Sequence, residues 1–229
     1  MWSISEVKKT GLAAFKKSYW GCVLVSLILG LLAAGSSLTG SSGNMNNAFN
    51  GLEQMGISSP ELTALKTFLL STILIFTICW VLLRIFLLNL IEVGCHAYLK
   101  DNITGEVTLK KLGVAFSDYK RNALTILLRD VFLALWICLL IIPGIIKSYS
   151  YMMVPYILLD EPELSGKEVI TRSREMMNGH KWRAFLMDLS FIGWMFLSFI
   201  TCGLVGIFYE KPYRMSAKAA LYHELKKEG

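Results

Sequence analysis

Residues 67–93 form an apolar run broken by charge only at Arg84 and Glu92, and this run limits the choice of fold more than any other feature. As a helix it is long enough to cross a hydrocarbon core of roughly 30 Å, which needs about 20 residues. Backbone facing lipid must be helical, because every other open form leaves polar groups unsatisfied. Clear apolar runs also cover 21–38, 123–142 and 184–201. Two weaker ones cover 144–160, which carries Lys147 and Pro155, and 203–222, which is interrupted by Glu210, Lys211, Pro212 and Arg214. The expectation is an all-α, polytopic transmembrane helical bundle of six spans. Composition agrees: with 54% hydrophobic and 17% charged residues, the 229-residue chain has little polar surface for a soluble domain.

The net charge of +6 is distributed between the apolar runs and forms no basic stripe, so no nucleic-acid partner is expected. Lys8, Lys9, Lys16 and Lys17 precede the first run. Lys100, Lys110, Lys111, Lys120 and Arg121 separate the second from the third, Lys167, Arg172, Arg174, Lys181 and Arg183 separate the fourth from the fifth, and Lys226 and Lys227 follow the sixth. The loop 39–65 holds Glu53 and Glu61 and no Lys or Arg. Six spans place every basic segment on one side, which predicts a multi-pass plasma-membrane protein with cytoplasmic N- and C-termini and an outer first loop. The Lys-rich start before 23–34 has some features of a signal peptide. The long front segment and the further apolar runs favour a retained first span.

Helix-disfavouring residues at Pro143-Gly144 and Cys202-Gly203 predict tight outer turns, so the spans read as three hairpins. A short amphipathic interfacial helix is expected before each, carrying Ile4, Val7, Gly11 and Phe15, then Leu109, Leu112 and Phe116, then Val169, Ser173 and Met176. The expected parts of a single membrane domain, 1–229, are 1–99, 100–160 and 161–229. The likeness of Lys8-Lys9-Thr10-Gly11-Leu12-Ala13 to Lys110-Lys111-Leu112-Gly113-Val114-Ala115 suggests a threefold repeat; cytoplasmic flanks of similar character are the alternative. Such surface helices would sink their apolar faces into the headgroup boundary and meet anionic lipid headgroups, with Tyr19, Trp20, Trp182 and Tyr222 marking the interface.

A charge within the bilayer costs at least about 2.5 kcal/mol on insertion scales unless it is paired or hydrated. Arg84, Glu92, Arg129, Asp130, Asp188, Glu210, Lys211 and Arg214 all fall within the expected spans, which predicts an intramembrane polar seam in which Asp130 or Asp188 partners Arg84. The seam reads either as a hydrated vestibule for an anionic or zwitterionic solute or lipid headgroup, or as structural pairs that lock helices together, with Arg129 and Lys211 snorkelling.

Catalytic signatures are missing: there is no G-x-S-x-G, P-loop, Rossmann glycine pattern or H-E-x-x-H. His96, His180 and His223 lie on separate segments without co-ligands, and the five cysteines are scattered. No enzyme activity, metal or cofactor is expected. A lipid- or small-solute-handling membrane protein or transporter accessory is the first expectation. The alternative is a non-catalytic scaffold or regulator acting through membrane-protein partners.

From residue 141 the chain reads Ile-Ile-Pro-Gly-Ile-Ile-Lys, then Tyr149 to Leu158 as Tyr-Ser-Tyr-Met-Met-Val-Pro-Tyr-Ile-Leu, then Asp160-Glu161-Pro162. Ser173 to Arg183 follows as Ser-Arg-Glu-Met-Met-Asn-Gly-His-Lys-Trp-Arg, with Leu189 to Trp194, Pro212-Tyr213 and Ala220-Leu221-Tyr222 beyond it. This series resembles the DUF975 family of bacterial integral membrane proteins, which has no established activity; Glu210-Lys211 is a departure toward polarity. The resemblance implies a membrane fold. Physically, Asp160 to Pro162 should end the fourth helix, Ser165 and Glu168 should form a capping box, Gly179 should end the next helix, and Ser190 and Gly193 should admit a close neighbour.

Overall fold

The computed structural model describes residues 2–35, 47, 50–51, 60–105 and 109–228, and among them every regular element is helical. The chain runs α1 Ile4–Lys17, α2 Tyr19–Gly35, α3 Pro60–Leu83, a π-helical segment Arg84–Leu88 and α4 Asn89–Thr104. A 3-10 segment Leu109–Phe116 leads into α5 Tyr119–Leu139, α6 Ile141–Ser150, α7 Val154–Asp160, α8 Gly166–Met176, α9 Lys181–Leu189 and α10 Ile192–Ile200. A second π-helical segment, Gly206–Glu210, opens into α11 Lys211–Glu228. The expected outer loop 39–65 falls for the greater part outside the described residues.

Three helical runs are long and apolar enough to cross a membrane: Thr63–Thr104, Tyr119–Leu139 and Lys181–Ile200. A fourth is reached if the pair Ile4–Lys17 and Tyr19–Leu32, bent by 105°, counts as one span. Only 12%, 22% and 17% of the apolar windows of the three runs is buried, so their surface calls for an apolar solvent. The expected fourth and sixth spans are not single α-helices. The fourth is broken at 151–153 into α6 and α7, and the sixth passes through the π segment before Pro212. Proline has no amide hydrogen to give, and a π turn absorbs the missing bond.

The described residues divide into two compact units, 30–88 and the remainder. Within the first, α3 continues into the π segment, where Arg84 Nη1 donates to the Leu32 carbonyl at 2.9 Å.

The second unit contains two antiparallel helical pairs. Gly144 lies against Ile137, where a Cβ would come within 2.9 Å of the Ile137 Cα, so α6 returns closely beside α5. The reversal itself occurs at Leu140 in extended conformation (φ −158°, ψ 132°). Pro143 and Gly144 therefore sit inside the first turns of α6 and do not form the turn expected of them; proline is tolerated there because that amide has no helical partner. At the far end of the pair, Arg121 donates to the carbonyls of Leu158, Glu161, Pro162 and Leu164 at 2.6–3.3 Å, satisfying groups that the end of α7 leaves free.

The second pair is a ladder. Gly206 meets Ser198, Trp194 and Tyr209 rings lie 4.6 Å apart, Phe191 and Tyr213 rings 4.9 Å, Asp188 and Lys218 3.1 Å, and His180 and Glu228 3.8 Å. The turn joining these arms uses Cys202 (φ 51°) and Gly203 (φ 88°), as expected from the sequence. The close approach expected at Ser190 and Gly193 is at Gly206 instead; a Cβ on Gly193 would touch nothing within 4 Å.

Beneath these pairs lies the tight core, where α1, α4, α7 and α11 pack together. Val7, Gly11 and Phe15 of α1 are buried as a stripe, but protein covers them: a Cβ on Gly11 would sit 2.7 Å from the backbone of Ala217 on α11. The second amphipathic segment is a 3-10 helix with Leu109 and Phe116 exposed, and Gly113 has open space beside it. In α8, Val169, Ile170 and Ser173 are buried. Of the residues expected to mark the interface, Trp20 and Trp182 are 73% and 68% exposed, whereas Tyr222 is 0% exposed and belongs to the core.

Gly11→Val should lower the stability of the detergent-solubilised protein by about 1–3 kcal/mol or more, because backbone cannot yield as a side chain does; thermal unfolding would measure it. At the start of α8, the Ser165 amide donates to Glu168 Oε2 at 2.7 Å, half of a capping box. Bonds from the Ser165 side chain and backbone hold the Glu168 carboxyl below its ordinary 4.5. A depressed carboxyl stabilises the fold fully above that ordinary value and loses its effect as pH falls through the lower, folded one. Protection of the amides in the first turn of α8, taken relative to their intrinsic exchange rate at each pH, should therefore fall as the pH drops below about 4.5 in wild type and show no such step in Glu168→Gln.

Candidate functional site

The eight charged residues expected in a seam fall into separate groups. Arg129, at the middle of α5, has its Nη2 3.1 Å from Glu92 Oε1 on α4, and its Nε and Nη2 lie 2.9 and 2.7 Å from Asp130 Oδ1. The pair Glu92–Arg129 ties two helices, and Asp130 balances the second half of the guanidinium. Asp188 on α9 accepts from Lys218 of α11 at 3.1 Å and from the Tyr149 hydroxyl of α6 at 3.2 Å. The carboxylates expected to partner Arg84 thus take Arg129, Lys218 and Tyr149, while Arg84 itself serves a carbonyl.

Glu210, 4% exposed, meets Arg214 Nε one turn later at 3.2 Å. Both residues and Lys211 line an open groove of about 730 Å³ along the second of the antiparallel pairs, the expected third hairpin, together with Met195, Ser198, Phe199, Cys202 and Gly203. Among the described residues no carboxylate pairs with Lys211. The groove therefore combines a net positive end, built where the π segment passes into α11, with a wall of methionine and phenylalanine.

A denser polar centre than any of these surrounds Asp160, the last residue of α7. Its carboxylate accepts from Lys100 of α4, from the Tyr222 hydroxyl at 2.7 Å and from Lys226 of α11 at 2.7 Å. His223 meets the Lys100 carbonyl at 3.0 Å. One turn earlier on each helix, His96, Tyr156 and Tyr222 form an aromatic layer, with Tyr156 4.9 Å from His96 and 5.2 Å from Tyr222. The matched spacing, 96 and 100, 156 and 160, 222 and 226, puts the same register on all three helices. Sequence reasoning assigned Asp160 to ending a helix, Lys100 and Lys226 to topology and Tyr222 to the membrane interface, and did not bring the four together. The signal was an acidic residue four positions beyond an aromatic one, Tyr156 and Asp160, matched on two other segments by cations four positions beyond aromatic rings, His96 and Lys100, Tyr222 and Lys226.

No group of three or more His, Cys, Asp or Glu residues among those described is placed to hold a metal ion. Asp160→Asn should destabilise the protein by about 1–3 kcal/mol, since it leaves two ammonium groups facing a neutral amide; Lys226→Gln, at the exposed side of the cluster, should cost less than half of that in the same unfolding assay.

In comparison with known proteins, residues 2–229 match the family described as a protein of unknown function, DUF975. The match reaches the front part of the chain, where the sequence motifs quoted above do not extend. No curated protein and no solved structure matches.

Proposed function

The chain belongs to the DUF975 family, and we propose that it is a six-span plasma-membrane protein, with both termini cytoplasmic, that accommodates a lipid-like amphiphile and catalyses no reaction. Two of the proposed spans are the broken ones. Support for counting them comes from the two antiparallel pairs, whose contacts run from Gly144 to the Arg121 clamp and from Gly206 to Glu228. Even parity then puts the Lys- and Arg-rich segments on one side.

The groove of the third hairpin carries the functional part of the proposal. An anionic or zwitterionic headgroup would meet Lys211, with Arg214 held by Glu210 beside it, while an acyl chain would lie along Met195 and Phe199. A free solute would leave that apolar wall uncovered, which is why an amphiphile fits better. The second reading, a scaffold acting through membrane-protein partners, draws support from Arg129, Asp130, Asp188 and Glu92, each of which pairs with another of the four or with Lys218 and Tyr149.

Native mass spectrometry of the protein released from mild detergent should find retained phospholipid, and Lys211→Gln should reduce the retained fraction about tenfold, the loss expected for one charge-assisted contact. Retention unchanged in Lys211→Gln and in Phe199→Ala would remove the groove from consideration and leave the scaffold reading.

A further inference from the structure

A second concave surface, separate from that groove, gathers cations from three helices. Lys147 of α6, Arg174 in the last turn of α8 and Lys181 at the start of α9 line a polar hollow of about 310 Å³, with Ser150, Thr171, Glu175 and Asn178. Lys147 feels the charges of both Arg174 and Lys181. Among the described residues none of the three cations is in an ion pair; Lys147 Nζ rests over the Trp136 ring at 4.7 Å. Glu175 supplies one negative charge against three positive ones. The fold thus holds together like charges that would separate if nothing offset them, a costly arrangement on the rim of a low-dielectric body.

We propose that this hollow binds a phosphate group. Phosphate matches the site in charge, in its acceptor oxygens and in size, and Arg174 can bind it with two parallel hydrogen bonds while the lysines act as point charges. The Ser150 and Thr171 hydroxyls already donate to the carbonyls of Ile146 and Lys167, so recognition falls to the three cations and the Asn178 amide. The source of the phosphate is a lipid headgroup or a soluble phosphate. The lipid source rests on the membrane reading given above, and the soluble source does not.

The test uses the full-length protein in an uncharged detergent at fixed ionic strength, titrated with dioctanoyl phosphatidic acid and, separately, with inorganic phosphate. Binding of phosphatidic acid that inorganic phosphate does not displace identifies a headgroup site; binding of inorganic phosphate, with displacement of the lipid, identifies a soluble ligand. In either case Arg174→Gln and Lys181→Gln should each weaken binding about tenfold or more, Arg174→Lys should recover part of the loss, and Lys227→Gln, on the exposed tail, should change nothing. Without ligand, Arg174→Gln should melt no lower than wild type, because it relieves repulsion. No binding of either probe, or equal losses in Lys227→Gln and Arg174→Gln, would overturn the proposal. Since Lys211 and Phe199 take no part in this hollow, failure here leaves the groove of the third hairpin untouched.

Discussion

The carboxylate of Asp160 is the constraint on which the rest of the larger unit depends. It ends α7 and accepts from α4 and α11, so three helices that are far apart in the chain are fixed in one register at one point. Above it lies the layer of His96, Tyr156 and Tyr222, and beside it α1 closes against α11 through Gly11 and Ala217. Moving from this centre, burial falls away and the outer lengths of α5, α6 and α10 expose isoleucine, leucine and phenylalanine. A tight polar and aromatic core with apolar arms extending from it is what a chain needs when water surrounds one end and hydrocarbon the other.

The fold was legible in the sequence wherever a single physical rule decided the outcome. Apolar length gave the helices at 67–93, 123–142 and 184–201, a helix-disfavouring break between two apolar runs gave the turn at Cys202-Gly203, and Ser165 with Glu168 marked the start of α8. It was less legible where two rules competed. Pro143-Gly144 suits a turn, yet proline also suits the first turn of a helix and glycine a close crossing, and tertiary packing against Ile137 selected the second use. Pro212 was read as an interruption, but the π segment before it carries the helix through.

The charges follow the same pattern. Their presence within apolar runs was visible, and so was the need for partners. Which partners they took was not, because pairing depends on helix rotation, and Lys218 and Tyr149 lie outside the runs' most obvious polar positions. Asp160 was hidden for a different reason: a residue with a sufficient local role, ending a helix, conceals a tertiary one. The basic hollow of Lys147, Arg174 and Lys181 was likewise spread over three segments whose cations had all been absorbed into the topology argument.

The account stands or falls on three hairpins crossing the membrane with both termini on the same side. Single cysteines at Ser3, Lys227 and the native turn position Cys202, each in an otherwise cysteine-free background, can be probed in sealed right-side-out vesicles with a membrane-impermeant thiol reagent. The account predicts labelling at Cys202 alone, with Ser3 and Lys227 reached only after the vesicles are opened. Labelling of Ser3 and Lys227 from opposite sides would contradict the even number of crossings and, with it, the architecture proposed for this chain.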